Sequence, residues 1–353
     1  MKTLKFAALA FSLLHLVVMS TMGVASPKVI RVGSAYGGGY GKPFSSGTIG
    51  IVHARGLLEQ EFKKDGIKID WFFFKGAGPA TNEAIANSTL DFAAVGDLPS
   101  IVARASGIKT KLIAGMSLHG NVYIAVPSDS RAQTLEDLKG KKVALFRGTN
   151  AQLTWEKLLA SKGLTEKDFR VFNLGTADAE AALASKDIDA AVYWNGLINL
   201  QALGTARIIY STKNAPLDLS NTGALFVTDG FAKRNPDIVK RVVKVYVEAA
   251  QWGSEKKNRA ELIKLLAKGG TPVASIKADI RGTSLALIHS PLLDDFLYHH
   301  YEDGVSFLKK RGLIRRTFDV KEWFDPSYLN AALKELNLEH YWKSKDANGN
   351  YQN

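Results

Sequence analysis

Between Lys75 and Ser100 (KGAGPATNEAIANSTLDFAAVGDLPS) turns and regular segments alternate at the short spacing of an α/β unit. Gly76, Gly78 and Pro79 make a first turn, and Pro79 suits the first position of a helix because its missing N–H would be unpaired there anyway. A short helix is expected over 80–87, stopped by Asn87 and Ser88, and then a strand over 90–95. That strand is apolar after its first two residues, as a strand covered on both faces should be. Gly96 and Asp97 turn the chain again, and Pro99 opens a second helix that runs to Arg104. Two helix N-termini then lie at the carboxyl end of one sheet. Each presents unpaired backbone N–H groups and a partial positive charge, which together make an anion site without a basic side chain. The plain alternative is an ordinary α/β unit whose helix ends meet only water.

About a hundred residues later the pattern returns. Ser46-Gly47-Thr48 before a helix is matched by Arg147-Gly148-Thr149 before another, and Gly78-Pro79-Ala80 by Gly175-Thr176-Ala177. The helix and strand over 82–95 are matched by 180–193 (EAALASKDIDAAVY), and the turn at Gly96-Asp97 falls opposite Trp194-Asn195. Two copies are too few for a solenoid. They predict two α/β lobes that face each other across a cleft, each aiming helix N-termini from its strand ends. Residues 121–127 (NVYIAVP) are expected to cross to the second lobe and 221–228 (NTGALFVT) to cross back, a two-stranded hinge. Lobe one is then 28–122 plus 222–345, and lobe two is 123–221.

The remaining elements follow from pattern. Strands are expected over 28–35, 67–74, 110–116, 141–146, 169–174, 188–194 and 206–211. A single helix over 48–63 would turn Ile51, Leu58 and Phe62 to the core, a short helix is expected over 135–140, and further helices over 149–161 and 177–186. From Asp237 onward the chain reads helical, over 237–252, 258–267, 292–311 and 326–336, and the polar end 346–353 reads as frayed.

Composition narrows the function. The chain has 353 residues, enough for two cores of ordinary size. It has no cysteine, so disulfides, thiolate metal sites, cysteine nucleophiles and a lipidated cysteine are excluded. The net charge of +12 comes from dispersed lysines and arginines, without a basic stripe interleaved with aromatics. It favours anionic partners and speeds their arrival, and no motif supports a nucleic acid. Lys2 and Lys5, the apolar run 6–19 broken by His15, and Gly23-Val24-Ala25 or Val24-Ala25-Ser26 read as an export signal cut near Ala25 or Ser26. The alternative, a retained anchor, has a run short for a membrane span.

The glycine-rich stretch 36–50 (YGGGYGKPFSSGTIG) fails as a nucleotide loop. Tyr36 stands where a phosphate loop needs its first glycine, and Lys42 is followed by Pro43. The dinucleotide spacing fails because Lys42 stands where a third glycine is required. No G-x-S-x-G turn and no zinc-binding histidine pair is present. Asp295 and His299, four apart, could share a helix face as a charge pair or hold a metal. Trp194 is a cleft or a core residue, and Asn150 either caps a helix or offers its amide to a ligand. Asp97 caps its helix or binds an ammonium group, and His119, just before the first crossing, is structural or touches the cleft.

These residues carry a resemblance. Ser46 to Gly50, Ala77-Gly78-Pro79 with Glu83-Ala84, Asp91 with Gly96-Asp97-Leu98-Pro99, Leu135 to Gly140 with Val143, Gly148-Thr149, Gly163-Leu164, Ala190 with Trp194, and Asn221-Thr222-Gly223 resemble the aliphatic sulfonate, taurine and nitrate group of periplasmic solute-binding proteins of ABC importers. The match runs from about Lys28 to about Arg316. The resemblance implies a type II periplasmic binding protein: an α/β fold of two lobes, a two-stranded hinge and a ligand trapped on closure. It implies an anion held on helix N-termini and an aromatic packed on the ligand's organic part. Carried onto this chain, the ligand-binding positions are Ser46, Gly47, Thr48, Gly78, Gly96, Asp97, Thr149, Asn150, Trp194 and Asn195. The loop before Ser46 is longer than usual for the group, and its Trp-Asp-Pro is here Trp194-Asn195-Gly196, which removes a carboxylate from the cleft. The expected protein is periplasmic and monomeric, binds a small organic anion without a cofactor, a metal or catalysis, and docks on an inner-membrane permease. An aliphatic sulfonate is the first expectation. A thiamine or pyrimidine precursor, or nitrate or bicarbonate, is the alternative, and a periplasmic enzyme the remote one, since the related pyrimidine-precursor synthases need iron and a cysteine-rich motif.

Overall fold

The computed structural model describes residues 27–35 and 42–352. The expected export signal and residues 36–41 of the glycine-rich run lie outside them. Among the described residues ten strands form two five-stranded sheets. The strands are β1 (Val29–Ala35), β2 (Lys68–Phe74), β3 (Phe92–Gly96), β4 (Thr110–Gly120), β5 (Tyr123–Pro127), β6 (Lys142–Leu145), β7 (Arg170–Asn173), β8 (Ala190–Tyr193), β9 (Ala206–Ser211) and β10 (Asn221–Thr228). One sheet has the order β2-β1-β3-β10-β4 and the other β7-β6-β8-β5-β9. The orders are equivalent. In each sheet the first three strands pair in parallel, and one strand from across the molecule enters antiparallel in the fourth place. The internal repeat of the sequence is thus a repeat of topology, and the two-lobed α/β fold is as expected.

Each sheet separates two apolar clusters because side chains alternate along a strand. On β3, Phe92 and Ala94 enter one cluster and Ala93 and Val95 the other; on β10, Leu225 and Val227 enter the first and Ala224 and Phe226 the second. On β5, Ile124 and Val126 face one way and Tyr123 and Ala125 the other, and β8 repeats this with Val192 and Tyr193. Burial on both faces is why these strands read as nearly continuous apolar runs. Helix Pro236–Ser254 covers one face of the first sheet and helix Asp295–Lys310 the other, so the C-terminal third of the chain returns to lobe one.

The lobes are joined where β4 passes into β5 and where β9 leads back to β10. The two crossings lie side by side. Gly120 pairs with Asn221 on one side of the junction and Tyr123 with Ser211 on the other. Between them the Thr212 N–H donates to the Val122 carbonyl (3.0 Å) and the Val122 N–H to the Thr212 hydroxyl (2.9 Å).

Several boundaries differ from the sequence reading. The helix expected over 48–63 is two helices, Gly47–Ala54 and Leu57–Phe62, because Gly56 adopts a left-handed φ of 61° between them; Ile51, Leu58 and Phe62 are buried as expected. The helix expected to start at residue 80 runs Ala77–Ala86, so Pro79 is its third residue. Helices Asp229–Arg234, Val273–Asp279, Leu285–Ile288 and Val320–Trp323 have no counterpart in that reading; they are short, and their apolar residues are too few to show a period. The C-terminal end expected to be frayed folds back. Lys345 is 2 % exposed, its N–H donates to the Asp294 carboxylate (3.0 Å), and residues 346–350 close a turn. Asp294 also caps helix Asp295–Lys310 at Leu297. A chain ending at residue 343 should therefore lose roughly 1–3 kcal/mol of stability, because it leaves a buried carboxylate short of partners. Denaturant melts of the two lengths check this; equal midpoints would restore the frayed end.

Candidate functional site

The carboxyl ends of the parallel strands in both lobes point into one cavity of about 830 Å³. Five helices of eight residues or more begin on its wall: Gly47–Ala54, Ala77–Ala86, Asp97–Ser106, Asn150–Ser161 and Thr176–Ala184. None of the five has a side-chain N-cap, though in the first turn of helix Asp97–Ser106 the Leu98 N–H donates to the Asp97 carboxylate. Gly47 (φ 68°) and Gly148 (φ 76°) turn the chain into the equivalent helices of the two lobes through the left-handed region, which a residue with a Cβ rarely enters.

Among the described residues four side-chain atoms on the cavity wall are buried without a hydrogen-bond partner: His119 Nδ1, Asn121 Oδ1, Asn221 Nδ2 and Thr222 Oγ1. Asn121, Asn221 and Thr222 are themselves more than nine-tenths buried. All four sit on the two crossing segments, where a buried polar group without a partner costs about 1–3 kcal/mol. Burial lowers the His119 pKa, so its ring enters the cavity neutral. Lys75, exposed at the mouth, is the one lysine or arginine on the wall among the described residues, whereas Asp178 and Asp279 are both there. The oxyanion-holding capacity of this cavity is therefore a matter of backbone N–H groups and side-chain amides rather than of cations.

Of the ten positions singled out in the sequence, eight line the cavity: Ser46, Gly47, Gly78, Gly96, Thr149, Asn150, Trp194 and Asn195. Trp194 is half-buried beside Tyr193, with its ring edge-on at 6.0 Å. Asn150 reaches across the cleft and donates to Asn221 Oδ1 (3.2 Å). The lobes approach closely here: a Cβ on Gly96 would lie 3.1 Å from Asn150 and would press on that side chain. Asn195, where the resembled group has an aspartate, donates instead to Asp279 Oδ2 (3.1 Å). Asp279 Oδ1 accepts from Asn121 (2.7 Å) and from the Tyr123 hydroxyl (2.6 Å). One carboxylate on lobe one thus ties the hinge and the strand ends of lobe two together, in a helix the sequence reading did not identify.

Two positions are not on the cavity. Thr48 is buried beneath it, with its hydroxyl 3.1 Å from His289 Nδ1. Asp97 is 1 % exposed, and its carboxylate turns into lobe one. There it accepts from the Leu98 N–H (2.6 Å), the Thr222 N–H (3.3 Å) and His300 Nε2 (2.9 Å). It cannot reach an ammonium in the cleft, and it does not cap its helix in the N-cap position, which Gly96 holds. His299, weighed with Asp295 as a charge pair or metal site, lies 3.7 Å from Glu302 on the exposed face of its helix. No group of three histidines, aspartates or glutamates among the described residues could hold a metal.

Asn121, Asn221, Thr222 and Asp279 were missed. The first three stand on the crossing strands, where polar residues interrupting apolar runs were the available signal.

Two predictions follow from these buried groups. Asp97→Ala should cost roughly 3–5 kcal/mol by chemical denaturation, because it strands His300 and two backbone N–H groups; a loss under 1 kcal/mol would mean the pair contributes little. Burial lowers the His289 pKa to about 4. The unfolded chain takes up that proton below about pH 6.5 while the folded chain refuses it, so folding should lose roughly 3 kcal/mol as pH falls from 6.5 to 4. Melts of His289→Asn across that range should be flatter than those of the parent.

The chain is similar to several known proteins. An aliphatic sulfonates-binding protein of Bacillus subtilis (strain 168) is 27% identical over 299 residues, 81% of this chain and 84% of that one. The solved structure of a periplasmic sulfonate-binding protein, SsuA from Methylobacillus flagellatus KT, is 34% identical with a TM-score of 0.79, over 90% of this chain and 98% of that one. The alkanesulfonate-binding protein SsuA from Xanthomonas axonopodis pv. citri, solved with MOPS bound, is 25% identical with a TM-score of 0.71, over 86% of this chain and all of that one. The family described as NMT1/THI5 like matches residues 60–260, more than half of the chain, and the protein belongs to it.

Proposed function

We propose that this protein is the exported solute-binding component of an ABC importer, and that it captures a small organic anion, an aliphatic sulfonate first of all, in the cavity between its lobes. The observation that carries the reading is the convergence on one cavity of five helix N-termini without a side-chain N-cap and of the unpartnered Asn221 Nδ2 and Thr222 Oγ1. Donors of that kind suit a tetrahedral oxyanion, whose charge lies on several oxygens at once. Backbone N–H groups at Gly47, Gly96 and Asn150 with the Asn221 amide would hold the sulfonate, and Trp194 would cover the carbon next to it. The names of the similar proteins support the same class of ligand, and MOPS is itself a sulfonate. A nitrate-sized ion would leave most of 830 Å³ unfilled.

The lobes meet outside the cavity as well. Lys157 on lobe two pairs with Asp303 (2.7 Å) and Glu156 with Arg311 Nε (2.9 Å). Opening would break these contacts and bend the chain at Val122 and Thr212, and closing on a ligand would present the closed form to the permease. The role is binding without catalysis, in the periplasm, with the signal removed.

The test is thermal denaturation of refolded, ligand-free mature protein with alkanesulfonates, taurine, sulfate esters, nitrate and thiamine precursors. A ligand at a hundred times its Kd should add about 2.7 kcal/mol. Trp194→Ala should weaken a sulfonate that stabilises the parent roughly ten- to a hundredfold. Stabilisation by a neutral heterocycle and by no anion would overturn the reading.

A further inference from the structure

Two helices of lobe one run side by side away from the cavity. Helix Asp97–Ser106 begins on the cavity wall, and helix Asp295–Lys310 lies along it in the same direction. Asp97 meets His300, a Cβ on Gly304 would lie 2.8 Å from Ile101, and Ala105 and Leu308 share one apolar cluster. A helix advances about 1.5 Å per residue, so Ser106 stands roughly 15 Å from the cavity. Both C-termini therefore end together on the far side of lobe one.

Cations gather at this end. The chain leaves the second helix as 309–316, KKRGLIRR. The Lys309 ammonium donates to the Arg315 carbonyl (2.8 Å) and the Arg316 guanidinium to the Ser106 carbonyl (3.4 Å), which folds the turn onto the end of the first helix, two to three residues before Lys109. Lys109, Lys309, Lys310, Arg315 and Arg316 are exposed, and among the described residues none of them pairs with a carboxylate. Arg311 is neutralised by Glu156 (2.9 Å). The carboxylates of the same segments are engaged elsewhere, Asp303 with Lys157 (2.7 Å) and Asp319 with the Lys321 N–H (2.7 Å). Two helix C-termini carry about half a negative charge each, so the dipoles balance about one of the five cations and leave the others uncompensated. Among them Leu313 is 38 % exposed, just after Gly312 turns the chain through the left-handed region (φ 73°). An exposed leucine among cations suits a surface that is anionic at its face and apolar just beneath.

We propose that this end of lobe one is a contact for an anionic membrane surface, with the five cations against phospholipid headgroups and Leu313 entering the interface. The proposal takes from the reading above only that the chain is exported, where headgroups are the extended anionic surface such a patch meets. The cavity is at the other end of helix Asp97–Ser106 and stays open to its ligand. Held in this way, the protein would search for a permease in two dimensions rather than three.

Flotation of the full mature protein with vesicles of phosphatidylcholine alone, and of phosphatidylcholine with roughly one-third phosphatidylglycerol, tests it. Each cation near such a surface is worth about a factor of five in partition, and the attraction is screened by salt. The variant Lys109→Gln, Lys310→Gln, Arg315→Gln should lose roughly a hundredfold on the anionic vesicles. Lys264→Gln, Lys268→Gln, Lys277→Gln removes the same charge from exposed lysines of the segment that borders the cavity, and it should partition as the parent does. If the first variant fails to fold, Lys310→Gln with Leu313→Ser takes its place, with a loss of at least about fivefold expected. Equal partition of the parent on both kinds of vesicle would overturn the proposal, and so would an equal loss in the two triple variants, which would make net charge the cause. Retention on immobilised heparin without binding to vesicles would make a soluble polyanion the occupant and overturn the membrane contact. None of these outcomes bears on the sulfonate titrations, and a failure of every sulfonate to bind would leave the vesicle result as it stands.

Discussion

The pairing of Val122 with Thr212 holds the arrangement together. Two hydrogen bonds join the crossing segments side by side, one of them to a side chain because the ladder is interrupted there. On one side of this junction the segments continue as β4 and β10 of the first sheet, and on the other as β5 and β9 of the second. Each sheet accepts its incoming strand in the same place, so the carboxyl ends of both sets of parallel strands face one space. Helix N-termini follow those strand ends wherever a strand passes into a helix by a short turn. The cavity and its donors are consequences of this double crossing.

A site made this way has an unusual electrostatic character. The chain carries twelve net positive charges, yet one exposed lysine and two carboxylates are the ordinary charged side chains on the cavity wall among the described residues. The dispersed surface charge acts at long range on the arrival of an anion. Within the cavity, fixed backbone dipoles act at short range. They require no charged side chain to be desolvated, and that cost would otherwise offset much of a buried ion pair. Burial keeps His119 neutral beside them, which leaves a weak donor or acceptor rather than a second charge.

Two carboxylates, the buried Asp97 and the half-buried Asp279, divide the structural work. Asp97 stabilises lobe one from within, joining the start of its helix to β10 and to His300 on helix Asp295–Lys310. Asp279 stabilises the relation between lobes, since its partners lie on the hinge and at the end of β8. The sequence makes Asp97 the more conspicuous of the two, because it follows a glycine at a strand end. Its side chain nevertheless points the wrong way for a ligand, while Asp279, in a segment without a readable period, stands on the cavity wall.

The sequence by itself determined the two α/β lobes, the repeat that relates them, the two crossing strands and most of the cleft positions. Those features depend on glycine turns, apolar alternation and spacing, which are local and periodic. It did not determine the break at Gly56, the short helices after residue 259 or the folded C-terminal end, because each is fixed by packing against residues far away in the chain. Nor could it say which of two polar neighbours faces the cavity. Thr48 and Asp97 stand one residue from cavity positions, and a rotation of about 100° per residue at a helix start turns one side chain into the cleft and the next into the core. Tertiary structure alone brought Asn121, Asn221, Thr222 and Asp279 to the same cavity, since they come from segments up to 158 residues apart whose meeting depends on how the second crossing returns the chain to lobe one.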